Sequence, residues 1–420
     1  MILFVICLIL FMIYFISEIY HKRIFQIVNV FLLSFFLRFY LFSPLISSGF
    51  IFSTFYHTKF KPEVQLIYNI SAILILISII ISRGLFNNYF IIFKTRRNSS
   101  NFFSKVFNFI FLYTGIYYIS TGVTPPILSP LFGESTLKNR LLLTYEKASE
   151  SIFFYGNTII KDYLLQNASV IFIIQHIKKK KYLFYIIISF FFIVYIGRKS
   201  SVANYVLFLG LGLYNFKYIN LKGLYKSFII VLLALFLFFS IYGLSDLLYD
   251  VSVRALIVES SFSYFQYDLY FNKPEIGVNI FNFPGSEIIF NMEHYDLKKY
   301  SYEYVFPGRV EKNGTTNAQG YAPLFLIIAF GKLIGYFIYF IICLFTLTYL
   351  RILNRSIKFN INNPYYFALY FLTISLSMNY FGVNIFTIFD FTIINFKYFI
   401  FLVFLHLFTT IKFKKNVLNK

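Results

Sequence analysis

The chain has 420 residues, 59% hydrophobic and only 13% charged, with 60 Phe, 37 Tyr and no Trp, and a mean hydropathy of +0.70. This apolar content exceeds the ~45–50% usual for soluble domains and excludes a soluble enzyme. The formal charge of +21 would suggest a nucleic-acid partner if the basic residues formed a stripe, but they fall in short clusters between apolar runs, a pattern that reports orientation in a membrane.

The fold class predicted is all-α, a polytopic integral membrane helical bundle. Eleven apolar runs predict eleven transmembrane helices, at 1–20, 24–46, 64–82, 106–121, 159–177, 182–196, 202–216, 227–245, 333–350, 364–380 and 389–410. Most approach the ~20 residues an α-helix needs to cross a ~30 Å hydrocarbon core. Residues 1–20 read as a retained first helix and not a signal peptide, because no basic residue precedes the run and no small-residue cleavage site follows it. Cys7 and Cys343 both lie inside apolar runs, which argues against a disulfide framework or a cysteine metal site.

The connections alternate between two sides with opposite charge character. One set holds Lys22, Arg23, Arg83, Lys94, Arg96, Arg97, Lys105, Lys178 to Lys181, Lys217, Lys222, Lys226, Arg351, Arg355, Lys358, Lys412, Lys414, Lys415 and Lys420, which is 21 of the 38 basic residues and none of the 17 acidic ones. The positive-inside rule makes this set cytoplasmic, with the N-terminus outside and the C-terminus inside. No cytoplasmic segment exceeds 23 residues. There is no room for a nucleotide-binding domain on that side and no Gly-rich phosphate loop in the sequence, so any chemistry is expected outside or near the outer leaflet.

Three regions follow in chain order: residues 1–245 with eight spans and an outer loop at 122–158, a large outer loop at 246–332, and residues 333–420 with the last three spans and a cytoplasmic tail. Between the two shortest runs, Gly197-Arg198-Lys199-Ser200-Ser201 draws two cations toward the membrane. Short, Gly-interrupted spans beside charge are where membrane proteins often place a substrate site, although long cationic side chains also snorkel to headgroups there.

Ten of the 17 acids lie in the large loop. Asp246, Asp250 and Arg254 stand four apart; on a helix they share one face, where they can pair with each other or leave Arg254 to meet a phosphate as a bidentate donor. His294 is the only histidine of this loop and is flanked by Glu293 and Asp296, so it is a candidate proton acceptor near neutral pH, with Glu259 and Glu293 as the carboxylate alternatives. Arg309 is followed by ten residues and then Gly320. The loop closes with the apolar stretch 321–332, broken by Pro323 and Gly331, which predicts a membrane-surface or re-entrant piece before the next span. Tyr117, Tyr118, Tyr321 and Tyr336 are candidates for the interfacial aromatic belt that Trp cannot supply here. The five histidines are widely spread and no H-E-x-x-H occurs, so no metal and no other cofactor is predicted. Asp390 and Lys397 lie seven apart in the last run, on one helical face.

With about eleven spans, Gly197-Arg198-Lys199-Ser200 in a short outward turn, one large outer loop in the C-terminal half, Phe330-Gly331-Lys332-Leu333-Ile334-Gly335 opening the next span, and the Arg309 to Gly320 spacing, the chain resembles the O-antigen polymerase (Wzy) family of bacterial envelope proteins. The second Arg-x10-Gly of some members is missing from the 122–158 loop, where the residue eleven beyond Arg140 is Ser151. The resemblance implies a GT-C-like fold in the bacterial inner membrane. It implies a glycosyltransferase that joins undecaprenyl-diphosphate-linked oligosaccharide repeat units on the outer face in lipopolysaccharide biosynthesis, with the lipid-linked oligosaccharide as its partner and room for a chain-length regulator in the membrane. Arg198, Lys199, Arg254 and Arg309 would then bind the diphosphate, Gly320 would complete the motif, and His294, Glu259 or Glu293 would take the acceptor proton. An O-antigen ligase would use nearly the same constellation. A lipid-linked oligosaccharide flippase or transporter should instead show two similar halves, and residues 246–332 have no counterpart in the first half.

Overall fold

A computed structural model describes residues 2–41, 62–96, 99–126, 128–134, 165–195, 199–240, 322–377 and 396–415, with a few isolated positions besides. The described chain is mostly helical. Contacts divide it into two units, one of Met1–Asn87, Gly243–Asn354 and Leu376–Phe391, the other of Asn88–Tyr242, Arg355–Ser375 and Thr392–Lys420.

The first unit opens with helix α1, Ile2–Tyr20. Its buried residues Phe4, Cys7, Phe11, Phe15 and Glu18 recur at three- and four-residue steps and make one stripe. The opposite face is equally apolar yet open, with Ile9, Ile13 and Ile16 each more than half exposed. A helix that is hydrophobic all round, with one stripe against protein, is built for a lipid surround. Helix α2, Ile27–Phe35, continues as a π-helical turn, Phe36–Tyr40, which sets the Tyr40 hydroxyl 3.2 Å from the Phe4 carbonyl and 3.1 Å from Asn69 Oδ1 of the following helix. That helix, α3, is Pro62–Gly84.

Later in the same unit, the stretch predicted as a surface or re-entrant piece forms a nine-residue helix, α9, Ala322–Phe330, packed against α3. Gly331 leaves it at φ +80°, a left-handed conformation that costs glycine least. The next helix, α10, then runs Lys332–Asn360 for 29 residues, roughly 43 Å at 1.5 Å per residue. A Cβ at Gly335 would lie 2.7 Å from the Ile327 nitrogen and from the Leu326 carbonyl atoms. Glycine at this position therefore lets the backbones of α9 and α10 touch. Cys7 and Cys343 are both fully buried and serve as packing residues.

The second unit contains strand β1, Tyr89–Thr95, and helices α4, Ser99–Ser120, α5, Gln166–Lys179, α6, Leu183–Tyr195, α7, Lys199–Asn215, and α8, Leu221–Ser240. It also contains the end of α10, helices α11, Pro364–Ser377, and α12, Phe396–Phe408, and strand β2, Thr409–Lys415. The centre of this unit is α11. From Tyr365 to Leu372 every residue is at most 3% exposed, and a helix buried on all sides is a core helix. Phe216 and Tyr205 pack their rings on Phe367, Tyr370 and Phe371, and Phe408 stacks on Tyr365 at 5.6 Å. A Cβ at Gly212 would meet the Phe367 ring at 2.9 Å, so α7 also approaches α11 closely.

A helix overlaps each of the eleven apolar runs. Among the described residues three helices, Ile2–Tyr20, Pro62–Gly84 and Lys332–Asn360, are long and apolar enough to cross a membrane by length and composition. The chain is a membrane protein. Two features differ from the sequence expectation. The bundle is not purely all-α, because β1 and β2 form an antiparallel two-stranded sheet with Tyr89 opposite Lys415 and Thr95 opposite Thr409. Helix boundaries also shift: α4 begins at Ser99 instead of 106, α10 ends at Asn360 instead of 350, and α12 gives way to strand at Thr409. Tyr117, a candidate for the aromatic belt, is buried.

Candidate functional site

Arg198, Arg254, Arg309, His294, Glu259, Glu293 and Gly320 lie outside the described residues, as do Asp246, Asp250 and Asp390. Lys199 is the first residue of α7. What the described residues bring together is the opposite, acid-free set of segments, once in each unit.

In the first unit the basic end is organised by one buried carboxylate. Asn29 Nδ2 donates to Glu18 Oε2 at 2.9 Å and to the Arg23 carbonyl at 2.7 Å, and the Tyr14 hydroxyl donates to Asn29 Oδ1 at 2.5 Å. Arg83, at the end of α3, pairs with Glu18 Oε1 at 3.4 Å and sits 5.8 Å from the Tyr14 ring centroid. Nearby on α10, the Arg351 Nε donates to Ser82 Oγ at 3.0 Å. Three connections that the charge pattern assigns to one side, beginning at residues 21, 83 and 351, are thereby tied together.

The second unit closes its basic end with neutral amides. Antiparallel pairing with β2 uses one edge of β1, and the other edge would leave the backbone groups of Ile91 and Phe93 unsatisfied. Side chains from the end of α10 and the following turn take that edge. Ile91 N–H donates to Ser356 Oγ at 2.8 Å, and Phe93 N–H donates to Asn360 Oδ1 at 2.8 Å. Asn360 Nδ2 donates to the Ile91 carbonyl at 2.7 Å and Asn363 Nδ2 to the Phe93 carbonyl at 2.9 Å. Ser356 and Asn360 are four apart on one helical face, so a helix does the work of a third strand.

Asn363 has a second role. Its Oδ1 accepts from the Tyr365 and Tyr366 N–H groups at 3.0 and 3.1 Å, which makes it the N-cap of α11, with Pro364 in the first helical position, where proline is preferred. The same turn receives the Lys178 ammonium on the Asn362 carbonyl and the Tyr218 hydroxyl on the Ile361 carbonyl. Partial burial, and then the neighbouring Lys179, push Lys178 below the usual lysine range. Five segments assigned to one side by charge alone, 83–105, 178–181, 217–226, 351–363 and 411–420, thus converge on residues 360–363 or on the strand held there.

Sequence reasoning placed these segments on one side without finding the residues that join them. Asn363-Pro364 carried a helix-start signal, and Ile411-Lys412-Phe413-Lys414 alternates with a strand's period of two. Among the described residues no three of His, Cys, Asp and Glu come together as a metal group. Comparison with protein-family models, with curated proteins and with solved structures finds no match.

Proposed function

We propose that the chain is an O-antigen polymerase of the inner membrane, with about eleven spans in a GT-C-like bundle, its N-terminus periplasmic and its C-terminus cytoplasmic. The observation that carries this reading is the charge asymmetry. All 21 basic residues of one set of segments stand without a single acid, the positive-inside signature, which leaves the arginines at 198, 254 and 309 and the large loop to the periplasmic side. The convergence of five of the acid-free segments in one unit supports their lying on a common side.

The reaction joins lipid-linked repeat units. The hydroxyl oxygen of the next repeat unit attacks the anomeric carbon of the growing glycan. The carbon–oxygen bond to undecaprenyl diphosphate breaks, the diphosphate leaves with the electron pair, and the hydroxyl proton goes to a base. The leaving group is already a good one, so the protein chiefly supplies cations at the outer leaflet and a proton acceptor near the hydroxyl. Arg198, Lys199, Arg254 and Arg309 take the first role and His294, with Glu259 or Glu293 as the alternative, the second.

The test is the lipopolysaccharide ladder of a strain deleted for this gene and complemented with the parent chain or with Arg198→Ala, Arg254→Ala or Arg309→Ala at matched membrane levels. Deletion is expected to leave core carrying a single repeat unit, and the arginine variants to stay at that band. Loss of every O-antigen band would overturn the polymerase reading in favour of a ligase or flippase, and a full ladder from all three variants would overturn the site assignment.

A further inference from the structure

The ribbon of β1 and β2 presents cations in a fixed array that nothing in the described chain neutralises. Lys94, Arg96, Lys412, Lys414 and Lys415 are all exposed. The strand register puts Lys94, Lys412 and Lys414 on one face, opposite Thr410, Ile92 and Phe90 respectively. No acid occurs anywhere in 83–105 or 411–420, in contrast to Arg83 of the first unit, which meets Glu18. Cations held this close on a rigid backbone repel one another unless an external anion lies among them.

Two further features identify the anion. Strand β2 starts at Thr409, directly after the last residue of α12 at Phe408, so the ribbon begins where that apolar helix ends. Phe413, 58% exposed and stacked on Tyr89 at 5.4 Å, stands with Lys415 on the opposite face of the ribbon from Lys412 and Lys414. A strand with exposed lysines on both faces and an exposed ring on one, beside the end of a membrane helix, suits a lipid interface met by the strand's edge, where the lysines reach headgroup phosphates and the aromatic ring enters the acyl boundary. The inner edge of β1 is already closed by Ser356, Asn360 and Asn363, which leaves the edge of β2 away from β1 as the one that carries the lysines.

We propose that the β1–β2 ribbon is a binding site for anionic phospholipid headgroups of the leaflet it borders, with Lys94, Lys412, Lys414 and Lys415 on the phosphates and Phe413 in the lipid. The site rests on the chain being embedded in a membrane and is independent of the glycosyl-transfer reading.

The absence of Trp from the chain gives a clean reporter. Full-length Phe413→Trp is reconstituted in phosphatidylcholine vesicles containing a minor fraction of brominated phosphatidylglycerol or the same fraction of brominated phosphatidylcholine. Ile13→Trp, on the open face of α1 and 59% exposed in the parent chain, serves as the bulk-lipid reference. The expected result is quenching at position 413 that favours phosphatidylglycerol about fivefold over phosphatidylcholine, the contribution of roughly one lysine at an anionic surface. That preference should fall to near unity in the triple variant Lys412→Gln, Lys414→Gln, Lys415→Gln, while Ile13→Trp shows no preference. Equal quenching by the two lipids at 413, or none there while Ile13→Trp is quenched, overturns the proposal. No quenching at either position overturns the membrane reading itself.

Discussion

In the first unit the basic end is held by charge: Glu18, almost buried, meets Arg83 at 3.4 Å and shares Asn29 with the Arg23 carbonyl. In the second it is held by neutral groups, with Asn360, Asn363 and Ser356 closing the edge of β1 and, among the described residues, no carboxylate in reach. The difference decides what the cations are free to do. Glu18 engages Arg83 in the first unit, whereas the ribbon lysines of the second take no part in holding the fold and remain available to an external anion. It also separates the two ends energetically, since an ion pair whose arginine is 54% exposed contributes little, while buried backbone groups left without partners are expensive.

The largest expected effect is therefore on the amide side. Asn360→Ala removes the partner of the Phe93 N–H and of the Ile91 carbonyl at once, a cost of about 2–5 kcal/mol for two buried groups. Hydrogen exchange should rise sharply across residues 89–95 and 409–415, with the first unit unchanged. Exchange that stays slow in the ribbon would show that the helix does not substitute for a third strand.

Next in size is a packing change in the first unit. Gly335→Ala sets a Cβ 2.7 Å from the backbone of α9 and should cost about 1–3 kcal/mol, as overpacking does. Gly212→Ala in the second unit meets only a ring edge of Phe367 and should cost less. Cys343, buried on α10, reports unfolding of the first unit to a thiol-reactive dye. A midpoint for Gly335→Ala equal to that of the parent chain would contradict the close approach.

The smallest effect belongs to the ion pair. Arg83→Gln should cost no more than about 1 kcal/mol, and the cost should shrink further in high salt, because the arginine side of the pair is screened. A larger, salt-independent loss would mean that the first unit depends on Arg83 in another way.

These three sites also mark how far the sequence could be read. The first helix, predicted at 1–20, is found at Ile2–Tyr20, and α11 starts at Pro364, where the prediction put it, since long apolar runs and an Asn-Pro start are local signals. The end of α10 was missed by ten residues because hydropathy falls at Arg351, while Arg, Leu and Lys are good helix formers and carry the helix on to Asn360. The ribbon was missed because its strands lie more than 300 residues apart in sequence, and pairing at that distance leaves no trace in a local pattern. Of the expected outward site, Lys199 alone is described, as the start of α7, so its geometry was legible only as charge and spacing.

The central claim is that the acid-free basic segments face the cytoplasm and the large loop faces out. Its most direct test is labelling by a membrane-impermeant maleimide of single-cysteine chains, Lys414→Cys and Glu293→Cys, each carrying Cys7→Ala and Cys343→Ala. With the outer membrane made permeable and the inner membrane intact, Glu293→Cys should label at once and Lys414→Cys only after lysis. Labelling of Lys414→Cys before lysis, with Glu293→Cys protected, would invert the topology and remove the outer arginines from the side where the proposed transfer takes place.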